Sequence, residues 1–434
     1  MFETVKNIMK VDDLRKRIIF TLLMLVVFRI GSFIPVPNTD VRALAEITQG
    51  NNVFGFLNTF TGGALNNFSI FALGIMPYIT ASIIVNLLQM DVVPKFAQWA
   101  KEGEAGRRKL AQVTRYGTVI IALVQAFGTA IGFDNMVGGN IEFIQNKGFL
   151  TYTLIALTLT AGTTFLMWLG ELITERGIGN GISIIIFAGI AAGIPGSVRD
   201  MYASGFFAGG DQLFLTIVKV VVLIAVVIAI IVGVIYVQQG VRRVRVQHAK
   251  RVVGRKMVGG QSTHIPLKVN AAGVIPVIFA SAVLYFPTTI ASFWAGNAFA
   301  DWIIRNFSLN AGLGMFLYVI FIIGFTYFYT FVQMNPVQLA DQMKKNGAFL
   351  IGIRPGKQTA TRLTEIINRI TLAGAIFLAA VSILPVFFTS LAGLPQSVQI
   401  GGTSLLIVVG VALDTMKQVE SQLIKRHYKG FINK

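Results

Sequence analysis

Residues 213–237, LFLTIVKVVVLIAVVIAIIVGVIYV, carry a single charge, Lys219. A helix crossing a bilayer needs about 20 largely apolar residues, and a water-soluble fold has no way to cover so long an unbroken apolar run. Nine more stretches read the same way: 18–34, 71–88, 116–133, 150–170, 182–198, 270–293, 313–333, 370–389 and 400–416. The weakest, 182–198, is short and ends at Gly193-Ile194-Pro195-Gly196. Composition agrees, since 54% of the 434 residues are hydrophobic and only 13% are charged, against about 25% charged in soluble domains. The expectation is an all-α polytopic membrane protein with ten transmembrane helices.

Charge sets the orientation. Numbering the spans in order, 31 of the 37 Lys and Arg fall on one side, four on the other, and Arg29 and Lys219 inside spans. Basic residues collect in cytoplasmic loops, so both termini and every long loop are expected in the cytoplasm. No small-x-small cleavage pattern follows span 1, which is therefore expected to remain as a span of a plasma-membrane protein. The chain divides into a cytoplasmic segment 1–17, a five-helix half 18–198, an outer connection 199–212, a second half 213–416 and a cytoplasmic tail 417–434.

Several chemistries drop out. There is no cysteine, and His248, His264 and His427 have no metal-ligand spacing, so neither a metal nor a cofactor is expected. Gly177-Ile178-Gly179-Asn180-Gly181 follows a membrane span rather than a strand, which removes a dinucleotide reading; it is better read as a tight cytoplasmic turn. No catalytic constellation appears, and an enzyme is not expected.

Two spans are interrupted alike. Gly74-Ile75-Met76-Pro77-Tyr78-Ile79-Thr80-Ala81-Ser82 and Gly273-Val274-Ile275-Pro276-Val277-Ile278-Phe279-Ala280-Ser281 share Gly, Pro, Ile, Ala and Ser at a constant offset of 199. Each opens the second span of a five-span half. Five is odd, so the halves run in opposite senses, and paired Gly/Pro-broken helices in inverted halves point to a path at their interface.

No carboxylate sits mid-span to couple a proton or sodium ion. The path segments are instead rich in isoleucine: Ile75 and Ile79, like Ile182 and Ile186, are four apart and share a helical face. Ordinary lipid-facing or interhelical isoleucine is the simpler account of this pattern, and an apolar constriction also fits it. Residues 54–68 are uncharged and too short to cross, which fits a re-entrant element or an interfacial helix. The basic loops 239–269 and 334–366, the latter with a turn at Gly352-Ile353-Arg354-Pro355-Gly356, fit docking to an acidic protein or to ribosomal phosphates. Positive-inside charge without a partner also explains them. On these residues an apolar path that deforms around a large, featureless passenger competes with an inverted-repeat secondary transporter of a small hydrophobic solute.

The chain resembles the SecY/Sec61-alpha family of protein-translocation channel subunits. The matching stretches include Phe28-Arg29-Ile30-Gly31-Ser32-Phe33-Ile34-Pro35, Ser69-Ile70-Phe71-Ala72-Leu73-Gly74, Ile173-Thr174-Glu175-Arg176-Gly177, Gln261-Ser262-Thr263-His264-Ile265-Pro266 and Gly401-Gly402-Thr403-Ser404. They run from span 1 to span 10; the outer loops 135–149, 200–212 and 294–312 match poorly. The resemblance implies a central pore whose waist is a ring of Ile75, Ile79, Ile182, Ile186, Ile278 and Ile407. It implies a plug at 55–68 that includes Phe60, Gly62, Gly63, Ala64 and Leu65, and a lateral gate at which Thr80, Asn86 and Ser281 are assigned. Arg354 and the Lys250, Arg251, Arg255 and Lys256 group would dock partners. Those partners would be the small subunits SecE and SecG, the motor ATPase SecA, the ribosome and polypeptides bearing signal sequences, with anionic lipids around a channel in the bacterial inner membrane.

Overall fold

The computed structural model describes residues 11–40, 58, 61–89, 93–136, 143–144, 147–203, 213–248, 251–253, 256–258, 262–291, 294, 297–309, 311–392 and 401–429. The first half contributes α1 (Asp12–Gly31), α2 (Met76–Leu88), α3 (Pro94–Lys101), α4 (Glu104–Met136), α5 (Phe149–Arg176) and α6 (Gly181–Ala203). The second contributes α7 (Leu213–Gln239), α8 (Ile275–Ala291), α9 (Ala298–Asn306), α10 (Gly312–Gln333), α11 (Pro336–Lys345), α12 (Lys357–Ala392) and α13 (Gly401–Lys429). With α3, α9 and α11 set aside as short connecting helices, ten helices remain among the described residues, one for each apolar stretch.

Their ends differ from the hydropathy limits for local reasons. Asp12 and Asp13 occupy the first turn of α1, where carboxylates favour the helix N-terminus, so α1 starts before its apolar stretch. α12 and α13 likewise run past the apolar limits through polar residues with good helix propensity. α6 passes Pro195 and continues to Ala203. By length and composition α4, α5, α7, α10 and α12 each suffice to cross a membrane, while α2, α6 and α8 supply shorter apolar helices. α2 has 13 residues, about 20 Å of helix against a hydrocarbon core of about 30 Å. The turns of residues 61–75 precede it.

The internal repeat extends to backbone conformation. Gly74 has φ +58 and Gly273 has φ +64, a left-handed conformation that glycine adopts without penalty. Two residues later α2 and α8 begin, again 199 apart. The packing repeats as well. In the first half α2 packs on α4, α4 on α5, α5 on α6, and α1 on both α5 and α6. In the second, α8 packs on α10, α10 on α12, α12 on α13, and α7 on both α12 and α13. The halves meet along two seams, α2 against α8 and α6 against α13, with α4 also reaching α8.

The spans are helical as expected, but the long loops also contain strands. β1 (Val241–His248) pairs antiparallel with β4 (Ser262–Lys268), Val241 opposite Lys268 and Gln247 opposite Ser262, and with β5 (Ala348–Leu350) on its other edge. β2 (Arg251–Val253) and β3 (Lys256–Val258) form a hairpin between them. One face of the sheet is apolar: Val246 and Leu350 join Ala340 and Met343 of α11 and Leu363 of α12 in a buried cluster. The two basic loops are thereby one folded unit.

Candidate functional site

The four helices at the seams carry the six isoleucines. Ile75 sits at the entry to α2 with its carbonyl accepting from the Ile79 amide at 3.1 Å. Ile182 and Ile186 lie on α6, Ile278 on α8 and Ile407 on α13. Ile75, Ile79, Ile186, Ile278 and Ile407 are buried members of one apolar cluster, and half-buried Ile182 packs against it. α2 and α8 contain no charged residue, α6 none before Arg199, and α13 none before Asp414, almost two turns past Ile407. Among the described residues these helices therefore place neither a charge nor a coordinating carboxylate beside the isoleucine cluster. Entry of a bare ion into an apolar cluster of this kind is costly in desolvation.

Residues 61–75 form successive turns wedged between helices rather than a helix of their own. The wedge is tight because small residues face it. A methyl on Gly62 would stand 2.9 Å from the Cα of Gly189 on α6, and one on Gly162 of α5 would collide with the Ile70 carbonyl. The Phe71 ring stacks between Phe28 of α1 and Phe165 of α5, with centroids 6.2 and 5.9 Å away. Within the segment, the Gly63 amide donates to the Asn58 carbonyl at 3.0 Å and the Asn66 amide to Asn58 Oδ1 at 3.0 Å. Ala64 is wholly covered and belongs to the isoleucine cluster. Leu65 and Phe68 instead join Val36, Phe133 and Phe143 in a neighbouring cluster. Phe60 lies outside the described residues.

The assigned gate residues are only partly brought together. Between α2, α4 and α8 lies an open cleft lined by Thr61, Thr80, Gln125, Phe133, Tyr285 and Phe286 among others. Thr80 lines it, its hydroxyl donating to the Met76 carbonyl at 3.1 Å. Ser281 is buried beside the lining residue Ala282 and donates to the Ile278 carbonyl at 2.8 Å. Asn86 sits almost two turns further along α2 and accepts from the Gln89 side chain at 3.0 Å. Sequence reading missed Gln125 and Thr129, both in the cleft wall. Their four-residue spacing puts a polar stripe on one face of α4, a signal that was present.

Arg354 is exposed on the turn after β5, between Gly352 at φ +81 and Gly356 at φ +112, and its carbonyl accepts from the Thr359 hydroxyl at 2.9 Å. Arg251 and Lys256 belong to the β2–β3 hairpin; Lys250 and Arg255 lie outside the described residues. Arg242, Arg362 and Arg369, with Glu365, border a small cleft between the sheet and α12 that sequence reading did not single out. The Asn180 side chain accepts from the amides of Ile182 and Ser183, capping α6 after the turn at Gly177–Asn180.

Comparison with known proteins bears on this geometry. The SecY family model matches residues 69–416. The chain belongs to the SecY family. It is 62% identical, over the full length of both chains, to the protein translocase subunit SecY of Halalkalibacterium halodurans. Two solved structures share its fold. One is of a SecY protein whose plug domain stabilises the closed state of the translocation channel and maintains a membrane seal, with a TM-score of 0.62 at 19% identity and 94% and 92% of the two chains covered. The other is Sec61 in the canine ribosome-channel complex from the endoplasmic reticulum, with a TM-score of 0.60 at 17% identity and 94% and 93% covered. This SecY-family chain is thus a multi-pass membrane protein, and the small-solute transporter reading gives way to membership of a translocase family.

Proposed function

We infer that the chain is the protein-conducting subunit of a bacterial plasma-membrane translocase. It passes unfolded secretory polypeptides across the membrane and releases signal sequences and membrane helices sideways into it. One observation carries the reading: the isoleucines converge in one cluster on the four helices where the halves meet, and Ala64 of the 61–75 segment packs into that cluster. A waist of aliphatic side chains fits around a moving chain of any sequence because it asks for no specific hydrogen bond. Residues 61–68 act as the plug that fills the waist at rest.

The cleft between α2, α4 and α8 marks the lateral gate, with Thr80 on its wall and Ser281 behind it. The seam α2–α8 is where the halves part. The sheet and the Arg354 turn receive SecA or the ribosome, whose acidic side chains and phosphates suit a basic surface. SecE, SecG and anionic lipids complete the assembly, with both termini cytoplasmic. No step in this scheme needs a nucleotide site on the chain itself.

The test is resting ion conductance of the full chain, purified with its co-assembling membrane partners, in planar bilayers. Ile79→Asp and Ile278→Gly are expected to raise it well above the parent, because each replaces a covered alkyl group at the waist with a hydrated or missing one. Conductance equal to the parent in both variants would remove the isoleucines from the barrier.

A further inference from the structure

Arg29 stands alone among basic residues in α1's apolar stretch, between Phe28 and Ile30 in the outer half of the span. A guanidinium there needs a partner, since an unsatisfied charge out of water is strongly unfavourable. Among the described residues it makes no ion pair. Its Nη1 donates to the main-chain carbonyl of Gly62 at 2.5 Å, and its Cζ lies 4.6 Å from the centre of the Phe33 ring. The charge is thus satisfied by the leading end of the 61–75 segment and by an aromatic face on its own chain.

The two ends of that segment are held differently. At the trailing end the attachment is main chain to main chain: the Val36 amide donates to the Phe68 carbonyl at 2.9 Å, and the Ile70 amide to the Ile34 carbonyl at 3.0 Å. Phe68 is boxed by Phe133 and Phe143, with ring centroids 5.7 and 5.0 Å away, and its φ of +36 is one that an L-residue rarely adopts. Among the described residues the leading end, at Gly62, has no such ladder to α1; the long Arg29 side chain ties it there. An end held through rotatable bonds can release without unfolding its anchor.

Resting on the reading of 61–68 as the plug, we propose that Arg29 is the latch that holds the plug closed, with 68–70 as its hinge. The latch grips a carbonyl, so it acts whatever side chains the plug carries. When Arg29 lets go of Gly62, residues 61–67 swing away from the isoleucine cluster about the boxed Phe68. Arg29 is a positioning residue for the seal and does not itself line the waist cluster.

The experiment measures resting conductance of the full chain with its membrane partners in planar bilayers, in four forms: parent, Arg29→Gln, deletion of 61–66, and both changes together. A charge-assisted hydrogen bond has a strength corresponding to about ten- to hundredfold in an equilibrium, and Arg29→Gln is expected to raise resting conductance by that order. Arg29→Lys is expected to recover part of the seal. In the deletion the same substitution is expected to add less than about twofold, because its partner is gone. Equal effects in both backgrounds would mean that Arg29 supports the helix bundle and not the plug, and would overturn the latch alone. A deletion as tight as the parent would overturn the plug reading and the latch with it. A second readout guards against misfolding: Ala64→Cys, covered at rest, is expected to resist a membrane-impermeant maleimide in the parent and to react in Arg29→Gln. Continued protection in Arg29→Gln would also overturn the latch.

Discussion

Gly62 and Gly63 make a controlled pair for the seal. Both have positive φ, +67 and +89, but a Cβ on Gly62 would meet the Gly189 backbone at 2.9 Å, while one on Gly63 meets nothing within 4 Å. Alanine in the left-handed region costs about 1–2 kcal/mol. Forcing a methyl against packed backbone costs about 1–3 kcal/mol more. Gly63→Ala should therefore weaken the seated segment by about 1–2 kcal/mol, and Gly62→Ala by about 2–5 kcal/mol. Each 1.4 kcal/mol is tenfold in an equilibrium, so the ratio of seated to released segment falls about 5–30-fold in the first and at least about 30-fold in the second. Resting conductance in planar bilayers, normalised to the number of inserted channels, reads that ratio. The order parent, Gly63→Ala, Gly62→Ala is expected, with the last at least about fivefold leakier than the middle one. If Gly62→Ala leaks no more than Gly63→Ala, the contact with Gly189 does not hold the seal, and the packing argument for residues 61–68 fails.

Further outcomes follow from other parts of the structure. Arg354→Glu reverses an exposed charge on a turn, so motor-driven export should fall severalfold while the amount of folded channel in the membrane stays at the parent level; normal export would end the case for that turn as a docking point. Asn180→Ala removes the cap that accepts from Ile182 and Ser183 and should lower stability by about 1 kcal/mol, read as an earlier midpoint in detergent-solubilised denaturation; an unchanged midpoint would show that the turn holds α6 without it. Gly162→Ala places a methyl against the Ile70 carbonyl and should both destabilise the chain, by about 1–3 kcal/mol, and raise resting conductance; destabilisation without leak would separate the α5 contact from the seal.

Much of the architecture was legible because lipid imposes a simple rule on the chain. Each long apolar stretch became a helix, and the matched Gly74/Gly273 and Pro77/Pro276 marked the break at which α2 and α8 start. The Gly177–Asn180 turn and the 352–356 turn were readable from glycine, asparagine and proline. The isoleucines that share a face were readable too, but not their company: periodicity alone cannot say whether Ile79 meets lipid or joins the buried cluster that holds Ile278. That depended on which helices form the seams, a consequence of the repeat as a whole. The strands in the basic loops were missed although Arg243-Val244-Arg245-Val246 alternates with a period of two; charge density drew the reading toward docking and away from fold. The wedge of 61–75 could not be foreseen in detail, because its shape is set by the distant residues Gly162 and Gly189 and by the Arg29 side chain.

The central claim is that a polypeptide passes through the isoleucine cluster, and the absence of native cysteine makes it directly measurable. One cysteine is placed at Ile79, another in a secretory polypeptide arrested midway through export, and disulfide formation between the two is followed. The account predicts a crosslink that requires both the motor and the signal sequence. No crosslink at Ile79, Ile278 or Ile407 while export remains active would contradict it.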